Sequence, residues 1–232
     1  MPKTDAKRIL CYGDSNTWGY MPGTGQRYDS HTRWTGVLQG LLGDGYCVIE
    51  AGLNGRTTVF DSPFDDYLNG KEGLGYALLQ ASPVDPVVIM LGTNDLKYTN
   101  GAGAARGVGT LISQIRTIEN RVASSFYMVD TPQRKQENSP AKILIISPII
   151  VHQDILNLSP RTVFPEEKRH EKSLEFAAAY KNVALQAGAW FLDAATVARP
   201  SDTDGIHMTQ EGHRELGCAV AAKICEIFTE EQ

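Results

Sequence analysis

The chain has 232 residues, a net charge of −5, 42% hydrophobic and 21% charged residues, a composition too apolar for a disordered chain. The acidic balance argues against a nucleic-acid binder, which carries a basic excess, and the longest apolar runs fall far short of the ~20 residues of a membrane helix. A chain of this length can bury roughly 70% of its unfolded surface and needs no disulfide or metal staple.

In chain order, the first apolar run is Arg8–Tyr12, and it empties into Gly13-Asp14-Ser15-Asn16-Thr17-Trp18-Gly19. Trp34, Val37, Leu38, Leu41 and Leu42 follow at helical spacing. The second run, Tyr46–Glu50, leads into Gly52-Leu53-Asn54-Gly55-Arg56-Thr57-Thr58. Asp61–Gly75, rich in Asp, Gly and Pro, reads as a surface excursion. The third run, Val87–Leu91, ends in Gly92-Thr93-Asn94-Asp95. Val108, Leu111, Ile112, Ile115, Ile118 and Val122 predict a helix, and Ser124–Ala141 reads as an inserted polar loop. After the fourth run, Lys142–Ser147, a helix is predicted from Glu166 to Ala187, closing at Gly188. The fifth run, Ala189–Leu192, ends at Asp193, and a loop leads on to Asp204-Gly205-Ile206-His207. The last helix is predicted over Gln210–Phe228, with Thr209 as its N-cap and Leu216, Val220, Ile224 and Ile227 facing inward.

Several of these runs are near-continuous in Val, Ile and Leu, which suits strands buried on both faces. Strands alternating with helices predict a doubly wound parallel sheet, read as one domain over residues 1–232. Ligands of such sheets bind outside the carboxyl ends of the strands. A serine, an asparagine, glycines, an aspartate and a histidine all emerge there, the residue types that acyl transfer needs. Taken alone, Ser15 after a strand reads as a helix N-cap.

Four cysteines, Cys11, Cys47, Cys218 and Cys225, show no zinc spacing, and three lie in apolar or periodic stretches that suit buried free thiols. The glycines of Gly101–Gly107 do not follow a strand and lack a GxxxxGK pattern, so no phosphate loop is expected. No hydrophobic leader precedes the first run, which points to the cytoplasm.

The four blocks, Gly13-Asp14-Ser15-Asn16, the segment ending at Gly55, Gly92-Thr93-Asn94-Asp95 and Asp204-Gly205-Ile206-His207, resemble in order those of the SGNH hydrolases, the GDSL esterases and lipases. The resemblance is strongest to the arylesterase and acyltransferase branch. It departs at Asn16, where the family nickname has Leu, a change expected to affect pocket polarity.

The resemblance implies a three-layer α/β/α fold with a five-stranded parallel sheet, flavodoxin-like. It implies Ser15 as nucleophile, His207 as general base and Asp204 as the carboxylate orienting it. Asp202 is a rival that the Asp-x-x-His spacing disfavours. The oxyanion hole would be the N–H groups of Ser15 and Gly55 and the amide of Asn94. Gly52 is the other candidate in its block, and Gly55 is preferred because it directly precedes Arg56-Thr57. Trp18 and Asn54 are expected at the substrate, with Tyr20 a further pocket candidate and Trp34 a core residue. Asp14 and Asp95 are expected to buttress their turns.

The implied activity is a cofactor-independent serine esterase acting on short acyl esters, acetyl especially, of aryl, alkyl or sugar alcohols, with transfer to other alcohols as a variant. The implied partners are a small-molecule ester, no nucleic acid and no membrane, in a homo-oligomer with Ser124–Ala141 as candidate contact. The alternatives are a thioesterase of the same family and a flavodoxin-like nucleotide- or flavin-binding module.

Overall fold

A computed structural model describes residues 6–124, 141–158 and 168–229. Five parallel strands form one sheet in the order β2-β1-β3-β4-β5. They are β1 (Lys7–Gly13), β2 (Tyr46–Gly52), β3 (Val87–Met90), β4 (Ile143–Ser147) and β5 (Trp190–Asp193). Each overlaps a predicted run. The helices are α1 (Ser15–Trp18), α2 (Trp34–Leu42), α3 (Gly70–Ala81), α4 (Gly101–Ser124), α5 (Ile155–Leu158), α6 (Arg169–Ser173), α7 (Phe176–Gln186) and α8 (Gln210–Thr229).

Strand alternation sorts the core into two layers. Leu10, Tyr12, Val87, Ile89, Ile143 and Ile145 pack with residues of α3, α4 and α7 on one face. Ile9, Cys11, Val88, Met90, Leu144 and Ile146 pack with α2 and α8 on the other. Trp34 is 1% exposed in that second layer, as its helical spacing predicts. Each such fully buried aliphatic side chain contributes roughly 1.5–3 kcal/mol. Both faces are covered, so the strands read as continuous apolar runs.

Thr209 caps α8, accepting from the Gly212 N–H at 3.2 Å, and Leu216, Val220, Ile224 and Ile227 are buried along its inner face. Leu41, in contrast, is 57% exposed at the solvent side of α2. Of the cysteines, Cys11 is buried, whereas Cys218 and Cys225 lie on the exposed face of α8; all four thiols are free. Gly101–Gly107 opens helix α4.

Two expectations need correction. The stretch read as a surface excursion to Gly75 contains the start of α3, which begins at Gly70. Its glycines lower helix propensity, but a Cβ at Gly70 would meet the Thr57 carbonyl at 2.4 Å, so the helix needs a bare backbone where it crosses the chain after β2. Asn69 caps it through the Lys71 N–H at 3.0 Å. The helix predicted from Glu166 is divided into α6 and α7 at Leu174-Glu175. There the Leu174 N–H is shared between the His170 carbonyl at 3.2 Å and the Glu171 carbonyl at 3.3 Å, and the Glu175 N–H tightens to a three-residue bond with the Lys172 carbonyl at 3.3 Å. The α4 N-terminus packs onto this break, where Glu175 accepts from the Ala102 N–H at 3.1 Å. Most of the Ser124–Ala141 insertion lies outside the described residues.

β1 sits between β2 and β3, so the chain leaves its carboxyl end toward a crevice flanked by both neighbours. No helix among the described residues is long and apolar enough to cross a membrane.

Candidate active site

Ser15 is the first residue of α1, and the helix is capped by Asp14, whose carboxylate accepts from the Asn16 N–H at 3.0 Å. Asp14 thus takes the N-cap position that Ser15 alone suggested. The turn is cramped: a Cβ at Gly52, the last residue of β2, would lie 2.1 Å from the Trp18 nitrogen. Only glycine lets β2 pass beneath α1 so closely.

His207 meets Ser15 from the far end of the sequence. Its Nε2 lies 2.9 Å from Ser15 Oγ, and its Nδ1 lies 2.8 Å from Asp204 Oδ2. The same carboxylate accepts the N–H groups of Ile206 and His207, each at 3.0 Å, which folds the loop around its own side chain. The other carbonyl-side anchor is the His207 carbonyl, which accepts from the Ser201 N–H at 2.8 Å. A carboxylate on Nδ1 fixes the neutral ring with its proton there, leaving Nε2 to accept from the serine hydroxyl. Burial would raise the Asp204 carboxyl, but the hydrogen bond and charge of His207, with the two backbone donors, hold it below the usual carboxylate range. Asp202 is not in this chain of contacts: its carboxylate lies on His152, 3.5 Å from Nε2, and its side chain is 96% exposed.

The segment after β2 approaches from the other side. Gly55 adopts φ 82°, a left-handed conformation that favours glycine. Asn94 opens a short 3₁₀ turn (Asn94–Lys97) after β3 and donates its side-chain amide to the Arg56 carbonyl at 3.1 Å. One amide hydrogen of Asn94 is committed there and one remains. Among the described residues, no backbone or side-chain acceptor takes the N–H of Ser15 or of Gly55. Gly52, beneath α1, and Gly55, in the turn beside Asn94's partner, thus have different surroundings.

Asp95 joins the two segments. Its carboxylate accepts from the Thr58 N–H at 3.0 Å and from the Thr58 hydroxyl. Burial pushes it up to about 7 against those donors, and burial likewise pushes Asp14 up to about 6. Both are therefore buried, but only Asp14 buttresses its own turn; the Asp95 carboxylate instead ties the turn after β3 to Thr58 in the segment after β2.

Arg56, to which the sequence assigned no role, joins the expected Tyr20, Trp18 and Asn54 in the surroundings. Arg56 reaches back under the site, donating to the Gly13 carbonyl at 2.8 Å and to that of Ala51, with its guanidinium 4.1 Å from the Tyr12 ring centroid. The ring of Tyr20 stacks on His207 and is tilted toward Trp18, 6.5 Å away between centroids. Trp18 carries Arg27 over its ring at 4.9 Å, and Asn54 is exposed on the turn before Gly55. His213, from the helix after the catalytic-type loop, is fully buried and accepts the Trp34 N–H at 3.3 Å. In the sequence it reads as a surface or packing residue of the last helix, within reach of an indirect role at the site. No group of metal-binding side chains occurs among the described residues.

Residues 11–215 match the GDSL-like lipase/acylhydrolase family. The chain is 29% identical to an acetylxylan esterase of Xylanibacter ruminicola, aligning over 96% of its own length but spanning only 44% of that relative. Among solved structures it is similar to Est24, a carbohydrate acetylesterase from Sinorhizobium meliloti, at 34% identity and a TM-score of 0.81, covering 95% of this chain and 99% of that one. The aryl esterase of M. smegmatis is similar at 36% identity and a TM-score of 0.81, with the same coverage of 95% and 99%. With the family match running through nearly the whole described sheet, this chain belongs to the GDSL-like lipase/acylhydrolase family.

Proposed function

We propose that the chain is a serine carboxylic ester hydrolase that removes short acyl groups, acetyl above all, from aryl, alkyl or sugar esters. The observation that carries this is the continuous contact from Asp204 through His207 to Ser15, at 2.8 and 2.9 Å. The relatives named as acetylxylan esterase, carbohydrate acetylesterase and aryl esterase support the acyl and alcohol classes.

In this reading His207 Nε2 takes the Ser15 proton as Oγ attacks the ester carbonyl. The tetrahedral oxyanion is held by the N–H groups of Ser15 and Gly55 and the free amide hydrogen of Asn94. His207 then protonates the alcohol oxygen as its bond to the acyl carbon breaks. Water, or a second alcohol in the transfer variant, adds to the acyl-Ser15 carbonyl through the same base, and the acyl group leaves as acid or new ester. Asp204 stays ionised throughout and stabilises the imidazolium. Trp18 and Asn54 are the substrate-binding side chains of this reading.

A flavin- or nucleotide-binding role has no use for this proton relay. A thioesterase would use the same residues, and paired kinetics on oxygen esters and acyl-CoA separate the two. The remaining expectations are proposals too. One domain over residues 1–232 is supported by the packing of the described helices on a single sheet. A cytoplasmic location is supported by four free cysteines. A homo-oligomer is supported by Phe64, 91% exposed, and Tyr67, 65% exposed, on the loop that leads into α3; light scattering giving a monomer mass removes it.

The test of the activity is fluorophosphonate labelling followed by mass spectrometry. The adduct is expected on Ser15 and absent from Ser15→Ala; labelling elsewhere, or none, rejects the proposal.

A further inference from the structure

Asn16 stands where the family nickname has leucine, and the sequence suggests a change of pocket polarity. The side chain does something else. It is 3% exposed and turned away from solvent, toward the backbone that carries His207. Its Nδ2 donates to the Ile206 carbonyl at 3.3 Å, and its Oδ1 accepts from the Met208 N–H at 2.9 Å. These partners flank His207 on either side. They also fix the amide's orientation, since a carbonyl requires the donor end and an N–H the acceptor end.

From this geometry we infer that Asn16 is a positioning residue, clamping the His207 backbone to the helix that carries Ser15; the inference rests on the proposed esterase reading. The backbone of Asn16 is itself tied down, because its N–H goes to Asp14 at 3.0 Å. The helix and the loop therefore share a bonded joint next to the 2.9 Å Ser15–His207 contact. Ile206 and Met208 are 4% and 0% exposed, so no bulk water can replace the amide. A leucine at this place would leave the Ile206 carbonyl and the Met208 N–H without that partner. The loop would retain its internal bonds to Asp204 and Ser201, which set its shape but not its distance from Ser15. Catalysis is steep in that distance: a displacement of about 1 Å costs roughly a hundredfold.

The experiment compares Asn16→Leu and Asn16→Asp with the parent, and repeats each in a His207→Ala background. Asn16→Leu removes both bonds. Asn16→Asp, when ionised, retains the acceptor for Met208 and loses the donor to Ile206. With p-nitrophenyl acetate and butyrate, kcat is expected to fall roughly ten- to a hundredfold in Asn16→Leu and several-fold in Asn16→Asp, with KM nearly unchanged and the same loss for both acyl chains. In the His207→Ala background, neither change is expected to lower the residual rate further, because the group being positioned is gone. Circular dichroism establishes that each variant is folded; should Asn16→Leu not fold, Asn16→Asp decides. An unchanged kcat, a loss that falls in KM and varies with acyl length, or an equal loss without His207 overturns the inference. Failure of the esterase reading is a separate result: the parent itself would neither turn over the ester nor take the fluorophosphonate on Ser15.

Discussion

Tyr20 lays its ring against the imidazole of His207, with centroids 4.2 Å apart and the planes 28° from parallel. The stack closes the face of the histidine and limits its rotation about the bond to Cβ. An aromatic pair of this kind is worth about 0.5–1.5 kcal/mol beyond its buried area. Tyr20→Phe, which keeps the ring, is expected to retain the parent's kcat with p-nitrophenyl acetate. Tyr20→Ala is expected to lose about two- to twelvefold. Equal rates for Tyr20→Ala and Tyr20→Phe would show that the ring does not steady the base.

Asn94 is held by the Arg56 carbonyl with one amide hydrogen to spare. Asn94→Ala is therefore expected to lower kcat by about 10² to 10³, the effect of one well-aimed oxyanion donor. Ser15→Ala is expected to lose on the order of 10⁶. Single-turnover kinetics with p-nitrophenyl acetate separate the two, since Asn94→Ala still forms an acyl-enzyme and Ser15→Ala does not.

The two aspartates of the last loop give a sharper contrast. Asp204 touches His207, while Asp202 is 96% exposed on its side chain beside His152. Asp204→Asn preserves shape but favours the wrong imidazole tautomer, and kcat is expected to fall by about 10⁴. Asp202→Asn is expected to stay within about twofold of the parent, as an exposed substitution. A comparable loss in both variants would mean that the loop's fold, and not the carboxylate on Nδ1, is what the mutations disturb.

His213 makes a contribution to the pH dependence of stability whose sign is definite and opposite to that of the buried Asp14 and Asp95. Burial, with His207 and Arg33 nearby, pushes its imidazole down to about 4. In the unfolded chain it titrates near its ordinary value, so between those limits the unfolded state binds more protons. Its contribution is fully present above about pH 6.5 and is lost as pH falls toward 4, amounting to about 2 kcal/mol by pH 5. His213→Gln retains an acceptor for the Trp34 N–H and removes the titration. Urea unfolding at pH 7.5 and pH 5 is expected to show a stability change on raising the pH that is about 2 kcal/mol less favourable in the variant than in the parent, whatever the opposite contribution of the raised Asp14 and Asp95. An identical difference would contradict this assignment.

The sheet was legible because burial on both faces leaves no polar alternation, so Val87–Met90 and Ile143–Ser147 stand out as unbroken apolar runs. The start of α3 was not legible. Its glycines look like loop residues until the Thr57 carbonyl that excludes a Cβ at Gly70 is seen. At the site, the strand-end positions of Ser15, Gly55 and Asn94 could be read from where apolar runs stop. What could not be read were contacts joining distant segments: Tyr20 on His207, Arg56 under Gly13, and the Asn16 amide between Ile206 and Met208. Each depends on where a side chain points, and local spacing carries no information on that.

The Ser15–His207 contact spans 192 positions, because one partner follows the first strand and the other follows the last. A ribosome-bound chain would thus carry its serine long before the histidine and aspartate of the last loop are synthesised. Under the proposed esterase reading, turnover therefore reports that the final strand and its loop have docked.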